Sequence, residues 1–303
     1  MVSAIVTTYK REPYMVLRAI KSILAQTYKS IEIIVVDDSP DDYFLRNEVK
    51  ETVVKIAKEN PDIQIKYIPH EHNMGACIAR NTGLEAATGE YIAYLDDDDE
   101  WLPDKIEKQI QVMRNPDISL VYCGSLCKND SEGTCEIVNK RYIRGNAFST
   151  LLYGNFIEST SYPLIRKSSL KAIGGFDPLM QSAQDYDVWL RLAENSKIDY
   201  VKEPLVIYHE HSGERITTDP KKKISGLERI NKKYAQYLEN DRKLWWKRHI
   251  SIIPYYSYNH EYKKAFSVWL KCIKKRPEKV VDNCVCLITI LKVIIEQMHK
   301  EED

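Results

Sequence analysis

The first hundred residues alternate between short apolar runs and amphipathic segments, and this alternation limits the possible folds more than any other feature. The apolar runs occupy residues 3–9, 31–38, 63–69 and 90–99. The segments between them, which repeat apolar residues with a helical period, occupy residues 13–26, 43–60 and 75–87. Strands that alternate with helices of this length predict βαβ units and an α/β fold with a mostly parallel, doubly wound sheet.

Polar residues stand where three of these strands end. The first strand runs into Thr7 and Tyr9, the second ends at Asp38, and the fourth ends in four consecutive aspartates, Asp96 to Asp99. In open α/β sheets, ligands bind beyond the carboxyl ends of the strands. We therefore expect these polar ends to face one crevice.

The aspartate run needs an explanation of its own. Two carboxylates about 5 Å apart repel each other by ~0.8 kcal/mol in water, so the cluster either lies in solvent or has a positive charge against it. A divalent cation with oxygen ligands suits carboxylates at a strand end. The alternative is a solvated acidic turn in which Asp99 caps the following helix. The second aspartate pair at the same sheet edge favours the functional interpretation.

Several classes of site are disfavoured by the sequence. The glycine-rich fingerprints of dinucleotide-binding and P-loop proteins are missing, so a nucleotide here would be held by side chains and a metal. The seven cysteines are scattered without paired CxxC spacing, which favours a reduced, cytoplasmic protein over a zinc protein. A run of eighteen apolar residues is also missing, so we expect no transmembrane helix.

Charge divides the chain unevenly. Residues 221–303 carry 19 Lys and Arg against 10 Asp and Glu, a net charge of +9, so residues 1–220 carry −9. The basic segment is mostly helical in pattern and interleaves cations with Trp and Tyr. It predicts either a helical pair packed on the rest of the protein or a contact with an anionic membrane surface. Nothing in it indicates nucleic acid.

Several motifs together carry a family resemblance. The stretches are "VSAIVTTYKRE", "SILAQTYKSIEIIVVDDSPDD", "HNMGACIARNTGLEAATGEYIAYLDDDDEWLPDKI", "GGFDP" and "QDYDVWLRL". Their order and spacing resemble inverting nucleotide-sugar glycosyltransferases of family 2, which have the GT-A fold. The resemblance covers about residues 2–215 and implies a GT-A catalytic domain over 1–220; the basic helical C-terminal region over 221–303 lies outside it.

The resemblance implies roles for residues that bind the sugar donor. Thr7 and Tyr9 match the loop that contacts the nucleotide base. Asp38 matches the acid that accepts a hydrogen bond from a uracil-type N–H, which suits an acceptor-only carboxylate; its alternative is a helix N-cap. Arg80 matches a basic residue near base and phosphates, with a surface arginine as the alternative. Asn73 matches the turn that opens the third helix and could serve structure alone.

The resemblance also implies the ligands of a metal ion. Asp96 and Asp98 fit a DxD pattern, in which Asp98 is the metal ligand and Asp96 and Asp97 lie near the ribose and the cation. Four aspartates in a row allow a slip of one residue. His211 matches a histidine that can reach the metal, with His209 as the fallback, and a histidine ligand would favour Mn²⁺ over Mg²⁺.

The catalytic base implied by the resemblance is Asp185. In this chain Gln184 replaces the family's preceding Glu, which removes one charge beside the base. The alternative role of Asp185 is to cap the helix that follows. We expect Asp187, two residues further, to lie in solvent.

Together with these features, the resemblance implies a metal-dependent glycosyltransferase with inversion at the anomeric carbon. The expected donor is a nucleoside-diphosphate sugar, with UDP-sugars favoured, and the expected acceptor is a glycan or a lipid-linked hydroxyl in surface polysaccharide synthesis. The expected location is the cytoplasm, with peripheral contact at the inner face of the membrane through 221–303. The alternatives are a nucleotidyltransferase, disfavoured by the missing glycine-rich loop, and a module that binds nucleotide sugars without turnover.

Overall fold

A computed structural model describes residues 1–129, 133–138, 141–210 and 219–302 of the chain. Within these residues, nine strands form one sheet: β1 (Val2–Thr8), β2 (Ile31–Asp37), β3 (Ile65–Pro69), β4 (Tyr91–Asp96), β5 (Glu100–Trp101), β6 (Ile118–Asn129), β7 (Thr134–Ile137), β8 (Leu164–Arg166) and β9 (Lys197–Glu210). The helices of this part of the chain are α1 (Pro13–Leu24), α2 (Arg46–Glu59), α3 (Ala76–Ala86), α4 (Lys105–Met113), α5 (Phe148–Tyr153), α6 (Lys167–Ala172), α7 (Gln184–Asn195), α8 (Pro220–Lys233), α9 (Ala235–Asn240), α10 (Arg242–Ile250), α11 (Ile253–Tyr258), α12 (Tyr262–Lys275) and α13 (Val280–Glu302).

The sheet has a parallel half and a mixed half. Its order is β3-β2-β1-β4-β8-β6-β9-β5, with β7 paired to β6 outside this path. The first four strands in this order are parallel, as the alternating pattern predicts. β8 joins β4 and β6 in antiparallel pairs, and β6 and β9 pair in parallel. The predicted α/β fold is confirmed, and the antiparallel strands lie in the half that follows residue 100.

The two faces of β1 are covered by different helices. Val2, Ala4 and Val6 belong to the buried cluster that includes the apolar face of α1. On the other face, α3 approaches so closely that a Cβ on Gly83 would lie 2.4 Å from Cγ2 of Ile5. A larger residue at this position would push α3 off the sheet. The predicted doubly wound arrangement is confirmed, and the close packing of α3 fixes the position of side chains on its first turns.

The chain divides into two compact units. The first comprises Met1–Pro178 and Asp185–Ser212, and the second comprises Leu179–Gln184 and Gly213–Asp303. The second unit is helical and has its own buried cluster, formed by residues of α8 and α10 to α13. The division of the chain into a catalytic and a C-terminal functional domain at residue 220 stays a prediction. Among the described helices, none has the length and apolar character needed to cross a bilayer.

Candidate functional site

The polar ends of β1, β2 and β4 lie side by side. Thr7 of β1 pairs with Asp96 of β4, and Thr8 pairs with Asp37 of β2. The backbone N–H of Asp38 donates to the carbonyl oxygen of Thr8 at 2.9 Å. The strand ends therefore meet at one edge of the sheet, as the alternation of strands and helices predicts.

Two arginines contact the carboxylates of the aspartate run. Arg11 donates from Nε to Asp97 Oδ1 at 2.9 Å and from Nη2 to Asp98 Oδ2 at 2.8 Å. Arg80, on α3, donates from Nη2 to Asp96 Oδ1 at 3.0 Å. The cluster is thus balanced by positive charge and is not a freely solvated turn. The surface-arginine alternative for Arg80 is wrong, because its side chain is largely buried against Asp96.

The four aspartates alternate between partly exposed and buried positions. The side chains of Asp96 and Asp98 are 32% and 20% exposed, whereas Asp97 and Asp99 are buried. Burial raises the pKa of Asp97 to about 7, although Arg11 favours the ionised form. Burial, and then repulsion from Asp96 and Asp98, raises the pKa of Asp99 well above its ordinary value. The accessible negative charge of the run is therefore concentrated on Asp96 and Asp98, the pair that fits the DxD pattern.

Asp99 does not cap the following helix. Helix α4 begins at Lys105, and Asp104 occupies its N-cap position. Instead, the N–H of Asp99 donates to the carbonyl oxygen of Asp96 at 3.0 Å, which closes a tight turn after β4. The capping alternative for Asp99 is therefore wrong.

Hydroxyl groups of three consecutive residues also hydrogen-bond to Asp96. Thr160 Oγ1 donates to Asp96 Oδ1 at 3.0 Å, and Ser159 Oγ lies 3.4 Å from Asp96 Oδ2. Ser161 Oγ accepts the backbone N–H of Asp96 at 3.1 Å. Reasoning from the sequence missed these residues, because nothing in their pattern connects them to a strand more than sixty residues earlier.

Arg18 and His209 form a second contact network beneath the run. Arg18, on α1, donates from Nη2 to the carbonyl oxygen of Asp98 at 2.7 Å and lies with Nη1 3.3 Å from His209 Nδ1. His209 Nε2 lies 2.7 Å from Glu100 Oε1. Since an arginine only donates and a carboxylate only accepts, these partners fit a neutral imidazole with its proton on Nε2. The buried His209 thus uses both ring nitrogens on protein partners. His211, the first choice as a histidine ligand, lies outside the described residues.

Asp38 fixes the turn that leads into α3. Its buried carboxylate accepts the N–H groups of Met74 and Gly75, each at 2.8 Å, and lies 2.7 Å from His70 Nδ1. Asn73 Oδ1 accepts from the N–H of Gly75 at 2.9 Å, so Asn73 has a structural role in the same turn. A carboxylate offers about four acceptor positions, so one remains on Asp38. Asp38 does not cap α2, which begins at Arg46, so that alternative is wrong.

The loop after β1 presents an exposed aromatic ring. Tyr9 is 43% exposed, and Thr7 is partly buried. The loop is anchored by Lys10, which has a left-handed φ of 51° and donates its N–H to Ser39 Oγ at 2.8 Å. Tyr9 is therefore held at the sheet edge, partly in solvent, with Lys10 Nζ 5.5 Å from its ring centroid.

Asp185 lies in the first turn of α7 and is not its N-cap, because the helix begins at Gln184. Asn155 Nδ2 donates to Asp185 Oδ2 at 3.1 Å. Burial opposes the charged form of Arg80, but attraction to Asp96, together with smaller contributions from Cys77 and Asp185, outweighs burial and raises the pKa of Arg80. Asp185 therefore lies within electrostatic reach of Arg80, which contacts Asp96.

Asp187 contradicts the expectation of a solvated side chain. It is fully buried, and Arg191, one turn later on α7, donates from Nε to its Oδ2 at 2.8 Å. The carboxylate is compensated by this arginine. The spacing of four residues between Asp187 and Arg191 is a signal that the sequence already contained.

The aspartate edge suits a hard divalent cation without a preformed cage. Among the described residues, no three acidic, histidine or cysteine side chains are grouped so that they could hold a metal ion. Asp96 and Asp98 supply two accessible carboxylates, and Mg²⁺ or Mn²⁺ commonly takes one or two of these while phosphates and water fill the remaining positions. The residues present therefore fit a cation that arrives with an anionic ligand.

Two relatives from Escherichia coli share most of this chain's length. A protein of strain K12 described as a putative colanic acid biosynthesis glycosyl transferase, WcaA, is 29% identical over 81% of this chain and 90% of its own. The UDP-Glc:alpha-D-GlcNAc-diphosphoundecaprenol beta-1,3-glucosyltransferase WfgD is 30% identical over 66% of this chain and 73% of its own.

Solved structures show the fold. Staphylococcus aureus TarS 1-349, in complex with UDP-GlcNAc, matches with a TM-score of 0.65 at 17% identity, over 100% of this chain and 92% of that one. The mannosyltransferase PcManGT from Pyrobaculum calidifontis, in complex with GDP-Man and Mn²⁺, matches with a TM-score of 0.58 at 16% identity, over 98% of this chain and 86% of that one. The likeness confirms the predicted GT-A architecture. The model of glycosyl transferase family 2 matches residues 3–174, more than half of the chain, and the protein belongs to this family of glycosyltransferases.

Proposed function

We propose that this glycosyltransferase moves a sugar from a UDP-sugar to an acceptor hydroxyl, with a divalent cation and with inversion at the anomeric carbon. The observation that carries the proposal is the meeting of β1, β2 and β4 at one edge, where Thr7 pairs with Asp96 and Asp38 is hydrogen-bonded to Thr8. A nucleoside diphosphate needs a site for its base and a positive counterpart for its phosphates. Both would lie along this edge.

The base would bind where β1 and β2 end. The exposed ring of Tyr9 offers a face for stacking, and the remaining acceptor position of Asp38 would take the N–H of a uracil. Because Asp38 also holds the turn at Asn73, the pocket for the base and the start of α3 would be built by one carboxylate. The imide N–H, which uracil and thymine carry and cytosine lacks, favours a uracil-type base.

The diphosphate would bind between Arg80 and the two accessible aspartates. Asp98 would hold the cation, with Asp96 and Asp97 beside it and the ribose, and His211 would complete the ligand set. When bound, the cation would neutralise charge on the departing nucleoside diphosphate. Arg80, whose positive charge is reinforced by Asp96, would contribute to the same neutralisation.

Asp185 would act as the general base. Its place in the first turn of α7, within electrostatic reach of Arg80, suits an acceptor hydroxyl that approaches the donor from the face opposite the leaving group. One displacement needs one base and no nucleophile from the protein, so the configuration would invert. The hydrogen bond from Asn155 would orient the carboxylate.

The acceptor would be a glycan or a lipid-linked saccharide in polysaccharide synthesis. Support comes from the two E. coli relatives, one described as a colanic acid biosynthesis enzyme and the other as acting on a diphosphoundecaprenol-linked sugar. The enzyme would then work in the cytoplasm. Its net charge of +9 over 221–303 would bring it to the inner face of the membrane.

A thermal-shift screen tests the donor. The protein is melted with UDP, GDP, dTDP or CMP, each with and without Mn²⁺, and Asp98→Asn is the control. At about 100 times Kd a ligand adds ~2.7 kcal/mol of stability, so UDP with Mn²⁺ should raise Tm by roughly 4–8 °C for a chain of this size. A larger shift with GDP would overturn the choice of uracil, and no shift with any nucleotide would overturn the site.

A further inference from the structure

Helix α13 has two apolar faces between residues 280 and 297, and the part of the chain that the structure describes covers only one of them. Cys286, Ile290 and Val293 are buried in the core of the second unit together with Asn283. A contiguous exposed apolar face is characteristic of an interaction site. The opposite face of α13 therefore needs a partner.

The uncovered face has the spacing of a coiled-coil seam. Its members, which we call the α13 stripe, are Val281, Cys284, Ile288, Leu291 and Ile295. Their intervals alternate between three and four residues, which places them at the a and d positions of consecutive heptads. Each is exposed, from 44% for Leu291 to 76% for Val281.

The charges beside the stripe do not suit an anionic membrane. Asp282, Lys292 and Glu296 are the charged residues of α13 between 280 and 297, and together they are net negative. A helix that lies on an anionic bilayer carries Lys and Arg on its polar flank. The basic residues of 221–303 therefore lie mostly outside this part of α13, and the seam spacing indicates another helix as the partner.

We propose that the α13 stripe pairs with the α13 stripe of a second copy of this chain, in antiparallel orientation. In this register Val281 faces Leu291 of the second copy, and Cys284 faces Ile288 of the second copy. The same register brings Asp282 next to Lys292 of the second copy, and the two-fold axis repeats this pair. A parallel pairing would create no such charge pair and would place Cys284 against its own counterpart.

The seam is short, so the dimer is expected to dissociate in the micromolar range. A seam of two heptads is shorter than the roughly three to four heptads typical of a coiled coil, so it buries little area and should associate weakly. Sedimentation velocity of the full chain from about 1 to 200 μM should therefore show a reversible monomer–dimer equilibrium. Ile288→Glu should raise the dimer Kd at least about 30-fold, because both copies lose a central apolar contact. Val54→Glu, which changes an exposed valine on α2 in the first unit, is the matched control and should leave Kd unchanged.

A charge exchange tests the register. Lys292→Asp places like charges together at both ends and should weaken the dimer, whereas adding Asp282→Lys to it should restore the dimer. Mild oxidation with copper–phenanthroline should cross-link Ile288→Cys through Cys284 of the second copy. Cross-linking of the unaltered chain through Cys284 would show a parallel pair and overturn the register.

Two outcomes overturn the interface itself. One is a monomer at every concentration. If that monomer floats with vesicles of anionic phospholipid and Ile288→Glu abolishes flotation, the stripe is a membrane contact instead. The other is a dimer that Ile288→Glu leaves intact, since the copies would then meet elsewhere.

Discussion

The guanidinium of Arg11 donates to the carboxylate of Asp98 at 2.8 Å, and it also contacts Asp97. It thereby satisfies the carboxylate that would hold the cation. The negative charge of the aspartate run is stabilised here by a side chain from the loop after β1. A cation at Asp98 must therefore share this carboxylate with Arg11 or displace it.

Removing Arg11 should strengthen binding of the cation alone. For Arg11→Gln we expect Mn²⁺ affinity without nucleotide to rise about tenfold. The charge-assisted hydrogen bond from Arg11, roughly 1.5 kcal/mol, would no longer compete with the cation for Asp98. Free Mn²⁺ is measured by electron paramagnetic resonance. Lys10→Gln removes the same charge from the same loop without touching the carboxylates and should have little effect. Equal or weaker Mn²⁺ binding by Arg11→Gln would refute competition at Asp98.

Changing Asp185 should separate transfer from donor binding. Asp185→Asn keeps the shape of the side chain and its contact with Asn155 but removes the base, so transfer should fall by about 100-fold or more. UDP affinity should stay within about twofold of the unaltered protein, because no contact with the nucleotide is lost. Asp117→Asn, at an exposed ion pair with Lys197, serves as the control. Unchanged transfer would remove Asp185 from the mechanism.

The fully buried Lys105 should make the free energy of unfolding rise with pH in the alkaline range. Lys105 Nζ lies 4.3 Å from the ring centroid of Trp101 and donates to Gln109 Oε1 at 2.8 Å, and burial lowers the pKa of Lys105 to about 8. Between this pKa and the higher pKa of the unfolded chain, the unfolded state binds more protons, so the free energy of unfolding rises with pH. Relative to Lys105→Met, the protein should gain on the order of 2 kcal/mol between about pH 7 and pH 10. Urea titrations at each pH measure the difference, and a constant difference would contradict a buried, titrating lysine.

The buried Glu32 should make the free energy of unfolding depend on pH in the acid range. Ser3 Oγ donates to Glu32 Oε1 at 2.6 Å, and Thr88 donates from its N–H and its hydroxyl. Burial alone would raise the pKa of Glu32, but these hydrogen bonds outweigh it and lower the pKa to about 2. The stabilisation is complete above the pKa of the unfolded chain and is lost as pH falls towards 2. Glu32→Gln should cost on the order of 2 kcal/mol at neutral pH, with the difference shrinking below about pH 4.5 in urea titrations. A difference that does not change with pH would exclude the carboxylate as its source.

The sequence predicted the scaffold of the site better than its contacts. The alternation of apolar runs was sufficient to bring Thr7, Asp38 and Asp96 to one edge, because parallel strands with right-handed crossovers leave little choice. Arg11 and Arg18 were missed, since a surface arginine on a loop or helix has no pattern that identifies its partner eighty residues later.

The residues at which helices begin were the other feature that the sequence predicted poorly. The capping alternatives placed Asp38, Asp99 and Asp185 at helix N-termini, whereas α2 and α4 begin several residues later and α7 begins one residue before Asp185. Helix termini depend on local turns that periodicity does not fix. The roles of Asp98 and Asp185 stay predictions until they are measured.

The most direct test of the site is calorimetric titration of UDP with and without Mn²⁺ into the unaltered protein and Asp98→Asn. If the strand ends bind a diphosphate through a cation, Mn²⁺ should tighten UDP binding by at least about tenfold, or ~1.4 kcal/mol. This gain should vanish in Asp98→Asn, while the weaker metal-free binding persists. UDP binding that is equally tight without Mn²⁺, or a gain from Mn²⁺ that survives Asp98→Asn, would contradict binding of the diphosphate through a cation at Asp98.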